Sequence, residues 1–109
     1  MYRRFVEANS FYKDWQALGL GDKELISLQN AILADPNIGA LIQHTGGARK
    51  LRFSFPGKGK SGSARVIYVD IVVKETIYLV MVYAKNQQES LNNEEKKILH
   101  AMIKKLKGE

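Results

Sequence analysis

Two periodicities divide the chain. Apolar positions recur every three or four residues over 11–33 and again over 98–106, whereas over 49–84 they alternate or run almost without interruption. The first spacing is that of a helix and the second that of a strand. RRFVEA (3–8) predicts a short first strand. Asn9 or Ser10 is placed as an N-cap, after which Phe11, Trp15 and Leu18 share one helix face that stops at Gly19 and Gly21. Asp22 is expected to cap a second helix with a stripe of Leu25, Leu28, Ile32 and Leu33, ending before Pro36. The short Gly-Leu-Gly connection predicts a helical hairpin. Residues 36–47 read as a loop closed by Thr45-Gly46-Gly47.

In RKLRFSF (49–55), Leu51, Phe53 and Phe55 alternate with Lys50, Arg52 and Ser54, so this strand has one wet, basic face. PGKGKSGS (56–63) is a glycine-rich connection. Residues 64–73 and 76–84 are β-branched, aromatic and apolar on both faces, as central strands are, with Lys74-Glu75 as the tight turn between them. Asn92 followed by Glu95 is a capping box, and Ile98, Leu99, Met102, Ile103 and Leu106 line one face of a terminal helix. The expected order is β-α-α-β-β-β-α: an α+β domain spanning 1–109, its small antiparallel sheet packed against the N-terminal helical hairpin and the C-terminal helix.

Composition narrows the chemistry. The 109 residues include no cysteine, which excludes a disulfide scaffold, a Cys-ligated zinc site, an iron–sulfur cluster and thiol catalysis. Two histidines, His44 and His100, leave little for a transition-metal site, so neither metal nor cofactor is expected. No apolar run approaches the roughly 20 residues of a membrane span, and the first residues lack a signal-peptide core. The expectation is a cytoplasmic protein with no membrane partner.

Charge is distributed unevenly. The net charge is +6, yet residues 1–47 carry four cations against five acids and residues 87–109 carry five against four. Residues 48–86 hold eight cations (Arg49, Lys50, Arg52, Lys58, Lys60, Arg65, Lys74 and Lys85) and only Asp70 and Glu75 as acids. Surfaces ordinarily mix both signs; a stretch that excludes one creates a field for polyanions, nucleic acid first among them.

Three motif matches fall away on context. Gly57, Gly59 and Gly62 satisfy GxGxxG, but they join two strands instead of leading a strand into a helix. Gly59-Lys60-Ser61 resembles the end of a Walker A loop, but Ser54 stands where its upstream glycine belongs. The GxxG of a KH domain joins helices, not strands. What survives is a glycine-rich loop whose Lys58 and Lys60 can follow a phosphate backbone.

No Ser-His-Asp constellation is present. Arg65 opens one central strand and Lys85 closes the other, so an antiparallel meander brings them to one end of the sheet with Lys50 and Arg52 beside them. On RNA such a cluster can hold the scissile phosphate and stabilise the charge that builds on it, while the ribose 2′-OH supplies the nucleophile. A lysine or a tyrosinate would have to act as base. The structural alternative is a salt bridge from Arg65 to Asp70 or Glu75, with Lys85 a simple charged strand end.

RKLRF (49–53), GKGKSG (57–62), ARVIY (64–68), IYLVMVYAKN (77–86) and the capped terminal helix together resemble the RelE/ParE superfamily of toxins, most of all its HigB-type and RelE-like members. The resemblance implies a toxin of a bacterial type II toxin–antitoxin pair that cleaves mRNA in the ribosomal A site without a metal. By position it implies that Arg65 contacts the scissile phosphate and that Lys50, Arg52 and Lys85, with Asn86 beside it, are basic site positions, Lys50, Arg52 and Lys85 being catalytic; Arg49, Lys58, Lys60 and Asn86 are the candidates for binding RNA. Asn86 stands where members often have arginine, and Leu91 and Asn92 stand where several place a tyrosine or histidine; Tyr83 or Tyr68 is the substitute. The implied partners are the 70S ribosome with its mRNA and a cognate antitoxin of HigA type with a helix-turn-helix domain, through which the pair reaches operator DNA.

Two other functions fit parts of this pattern. ParE-like members of the superfamily poison DNA gyrase through protein contacts, since one fold serves several targets. A non-enzymatic RNA-binding module would show salt-sensitive binding and no cleavage.

Overall fold

The computed structural model describes residues 2–54, 63–84 and 91–109. Its elements run β1 (Arg4–Glu7), α1 (Phe11–Ala17), α2 (Asp22–Ala34), β2 (Ala40–Leu41), β3 (Arg49–Ser54), β4 (Ser63–Ile71), β5 (Thr76–Ala84) and α3 (Asn93–Leu106). The five strands form one sheet in the order β1-β5-β4-β3-β2. The expected α+β architecture is therefore present, with two additions.

β1 lies parallel to β5, from Arg4 opposite Thr76 to Glu7 opposite Leu79, so the sheet is mixed and only its β2 to β5 portion is antiparallel. The segment read as a loop from 36 to 47 contains β2, which pairs antiparallel with β3. Two residues are too few for any periodicity to announce.

The sheet is buried on both faces. Against one lies the α1–α2 hairpin, where Phe11, Trp15, Leu25, Leu28 and Ile32 pack on Leu51, Ala64, Val66, Tyr68, Ile77, Leu79 and Val82. Trp15 is fully buried, and its indole N–H donates to the Gly21 carbonyl at 2.9 Å, which fixes the inter-helix turn. Gly21, not Asp22, is the residue before α2; Glu24 Oε1 reaches back to accept its N–H at 2.8 Å. Ser10 precedes α1 as expected but makes no side-chain cap. Leu18 and Leu33 are half-buried.

Against the other face lies α3, whose Leu99 and Ile103 pack with Ala48, Ile67, Val69, Ile71 and Leu91. Its capping box forms as predicted: Glu95 N–H donates to Asn92 Oδ1 at 2.8 Å and Asn92 N–H to Glu95 Oε1 at 3.0 Å. Ile98, expected on the apolar stripe, is exposed. The far end of α3 docks on the 42–48 turn, where Lys107 Nζ donates to the Gly46 carbonyl at 2.9 Å.

β4 stops at Ile71, two residues early. Val72–Lys74 form a 3₁₀ turn, and Glu75 takes the left-handed conformation (φ 49°) that a tight reversal without glycine demands. Val72 and Val73 are consequently exposed instead of continuing the strand. Asp70, one sequence candidate for pairing with Arg65, bonds Arg3 at 2.8 Å.

Candidate active site

The cationic residues of the middle strands separate by face. Arg52 on β3, Arg65 on β4 and Tyr83 on β5 stand in one row, Arg52 opposite Arg65 and Arg65 opposite Tyr83. Directly opposed residues of antiparallel strands share a face, with Cα atoms about 5 Å apart. Lys50 lies two residues along β3 from Arg52, on the same face and about 7 Å away. This is the α3 side of the sheet, since Tyr83 packs with Leu91, Leu99 and Ile103.

Tyr83 reaches that side because of a β-bulge. Ile67 pairs with Met81 but Tyr68 pairs with Leu79, which leaves Val80 as an extra residue in β5. A strand read by strict alternation from Ile77 and Leu79 would turn Tyr83 toward the helical hairpin. One inserted residue reverses the sense, so Val82 faces the hairpin and Tyr83 faces α3.

The row is electrostatically unbalanced. Like charges directly opposite one another destabilise a strand pair by about 0.2–1 kcal/mol. Among the described residues neither Arg52 nor Arg65 has an ion pair, Asp70 being committed to Arg3. Moreover, Arg65 Nη1 and Tyr83 Oη are both buried and lack a hydrogen-bond partner there. Unpaired buried polar atoms cost about 1–3 kcal/mol each, so such a pair marks a place shaped for something other than the fold. Burial pushes the Tyr83 phenol above its ordinary value of 10.0; Arg65 opposes that shift and the Glu95 carboxylate adds to it. The phenol therefore holds its proton at neutral pH, which favours a donor over a tyrosinate, one of the two bases that the sequence left open.

The structure places the remaining candidates elsewhere. Arg49 lies on the hairpin side and donates through Nη1 to the carbonyls of Gly39 at 2.8 Å and Asn37 at 3.3 Å. Tyr68 also lies there, fully buried; its hydroxyl donates to the Pro36 carbonyl at 2.7 Å and accepts the Gly39 N–H at 3.0 Å. Both residues pin the 36–40 segment beside β3. Lys58, Lys60, Lys85 and Asn86 lie outside the described residues, although Ala84, which precedes Lys85, pairs with Ala64 at the same end as Arg65. His44 sits in the turn with φ 68°, and His100 lies over Gly46. Among the described residues no cluster of acids and histidines could hold a metal ion, and no helix is long and apolar enough to cross a membrane.

Two residues near the row were not singled out by pattern. Glu95 was read only as a helix cap, yet it is close enough to act electrostatically on Tyr83. Lys96 comes beside Lys50 only because α3 folds back over the sheet.

The family model for the RelE toxin of the RelE/RelB toxin–antitoxin system matches residues 4–108. The chain belongs to the RelE toxin family. RelE of Escherichia coli, solved in the free state as a double arginine-to-alanine mutant, superposes with a TM-score of 0.58 at 19% sequence identity, covering 82% of this chain and 90% of that one. That likeness is one of fold. Membership in the RelE family makes the chain a toxin of a toxin–antitoxin system and implies an antitoxin partner.

Proposed function

We propose that this RelE-family toxin is a metal-independent endoribonuclease that cuts mRNA in the ribosomal A site and so stops translation. The observation that carries this reading is the buried, unpartnered pair Arg65 Nη1 and Tyr83 Oη, in register and flanked by Arg52 and Lys50. Two donors that find no acceptor among the described residues suit the oxygens of a phosphodiester.

The reaction needs little else from the protein. The ribose 2′-oxygen forms a bond to the adjacent phosphorus and the bond from phosphorus to the 5′-oxygen breaks, leaving a 2′,3′-cyclic phosphate and a 5′-hydroxyl. Arg65, with Arg52 beside it, stabilises the extra negative charge on the phosphoryl oxygens, an effect worth about 10²–10³ in rate for one well-placed donor. Tyr83, protonated at neutral pH, donates to the departing 5′-oxygen. The 2′-OH proton leaves to solvent, and Lys50, on the same face, adds positive charge beside the phosphate. The ribosome supplies what the small site lacks, namely alignment of the 2′-oxygen with the scissile bond.

Regulation follows the resemblance to HigB-type toxins. An antitoxin of HigA type, carrying a helix-turn-helix domain, would hold the toxin inactive in the cytoplasm and link the pair to operator DNA. Primer extension on a reporter mRNA in a purified translation system tests the reading. Cleavage within the A-site codon that requires both ribosomes and Arg65 is expected. Intact message accompanied by DNA breaks would contradict it and point to gyrase.

A further inference from the structure

Beside the arginine–tyrosine row lies a cleft of which only Lys50 takes part in the reaction above. It has a volume of about 260 Å³ and is lined by Ala40, Leu41 and Ile42 from the β2 edge, Leu91 before α3, and the side chains of Lys50 and Lys96. Its lining is thus four aliphatic residues and two ammonium groups, with no acid. Leu41 is 58% exposed, an unusual place for leucine on a two-residue edge strand.

We infer that this cleft binds one nucleotide adjacent to the scissile phosphate, the base packing on Ala40, Leu41, Ile42 and Leu91 and its phosphate lying between Lys50 and Lys96. The inference rests on the endoribonuclease reading and deepens it. Lys50 belongs both to the cleft and to the catalytic face, so a strand leaving Arg52 and Arg65 meets it about 7 Å on, roughly one nucleotide step along an extended chain. The volume falls below the roughly 300 Å³ at which drug-sized ligand pockets begin, which suits one flat ring with its sugar and phosphate outside. A folded protein partner would need about 800 Å² of matching surface, far more than this cleft offers. Packing on aliphatic side chains without a base-reading acid or amide predicts weak selectivity among bases at this position.

The test is methyl NMR on the intact chain with RNA that cannot be cut because the attacking 2′-OH is replaced by hydrogen. A dinucleotide spanning the scissile phosphate is compared with trinucleotides extended by one residue at either end. One of the two extensions is expected to tighten binding and to shift the methyl signals of Leu41, Ile42 and Leu91. Lys96→Ala, at a half-buried position, and Leu41→Asp, at an exposed one, should each remove about threefold to tenfold of that gain while leaving dinucleotide affinity as in the wild type. Arg65→Ala should weaken all three RNAs alike. If neither extension tightens binding, or if both cleft variants keep the full gain, the cleft is not a nucleotide site, and the catalytic reading stands on its own. If the wild type fails to bind even the dinucleotide at millimolar concentration, the catalytic reading fails with it.

Discussion

Arg65 on β4 faces Tyr83 on β5 near one end of the two central strands, and each presents one buried polar atom, Nη1 and Oη, that no described group satisfies. Folding alone does not explain this arrangement. A fold stabilised only by packing would place an apolar pair there, as it does one step along at Val66 and Val82. The cost is intelligible if a phosphate oxygen completes the pair when RNA binds.

Stability and activity should therefore separate at Tyr83. Tyr83→Phe removes a buried hydroxyl without a partner among the described residues, so thermal stability should stay constant or rise by up to about 1 kcal/mol. Cleavage should fall by about 10²–10⁴ if the phenol donates to the leaving oxygen. Melting curves and a cleavage assay on one preparation check both halves.

Tyr68 should behave in the opposite sense. Tyr68→Phe strands the Gly39 N–H and the Pro36 carbonyl and should cost about 1–3 kcal/mol of stability with little change in cleavage by the folded fraction. Gly39→Ala tests the same corner differently. An added Cβ would lie 2.9 Å from Tyr68 Cε1 and 3.1 Å from the Lys50 carbonyl, so a loss of about 1–3 kcal/mol is expected on denaturant titration.

The two arginines of the row should differ in degree. Arg52 is exposed and Arg65 half-buried, so solvent screens the first more. Arg65→Ala is expected to lower cleavage by about 10²–10³ and Arg52→Ala by less. Equal losses in a rate comparison would show that burial does not set their contributions.

The pH dependence follows from the direction of the tyrosine shifts. Burial raises both Tyr68 and Tyr83 above the ordinary 10.0. Each folded phenol then keeps its proton where the unfolded one has lost it. Their contribution to stability is complete below about pH 10 and is lost as the pH rises through the folded values. Alkaline unfolding should begin above that point and become less steep in the Tyr68→Phe/Tyr83→Phe double variant. A proton-donating Tyr83 should likewise leave cleavage without a falling limb between neutral pH and about 9.

Much of this architecture is visible in hydrophobic spacing. The hairpin of Phe11, Trp15, Leu25, Leu28 and Ile32, the basic alternation of β3 and the Asn92–Glu95 box are local patterns, and the structure contains all three. What escaped is non-local or a matter of single residues. β2 is too short to show a period. The parallel pairing of β1 with β5 joins the first strand to the last, about 70 residues apart in the chain. The extra residue at Val80 decides which way Tyr83 points, yet it lies inside a uniformly apolar run where no alternation exists to be broken. Arg49 and Lys50 show the same limit: adjacent cations look alike in sequence, but β-strand geometry sends one to brace the 36–40 segment and the other to the face of Arg52, Arg65 and Tyr83.

The most direct test is single-turnover cleavage on ribosomes carrying a defined A-site codon, comparing the wild type with Arg65→Ala, Tyr83→Phe and Tyr68→Phe at a temperature where all remain folded. Arg65→Ala and Tyr83→Phe should each lose at least about a hundredfold in rate while Tyr68→Phe keeps the wild-type rate. Wild-type rates in both Arg65→Ala and Tyr83→Phe would show that the buried pair does not hold the scissile phosphate.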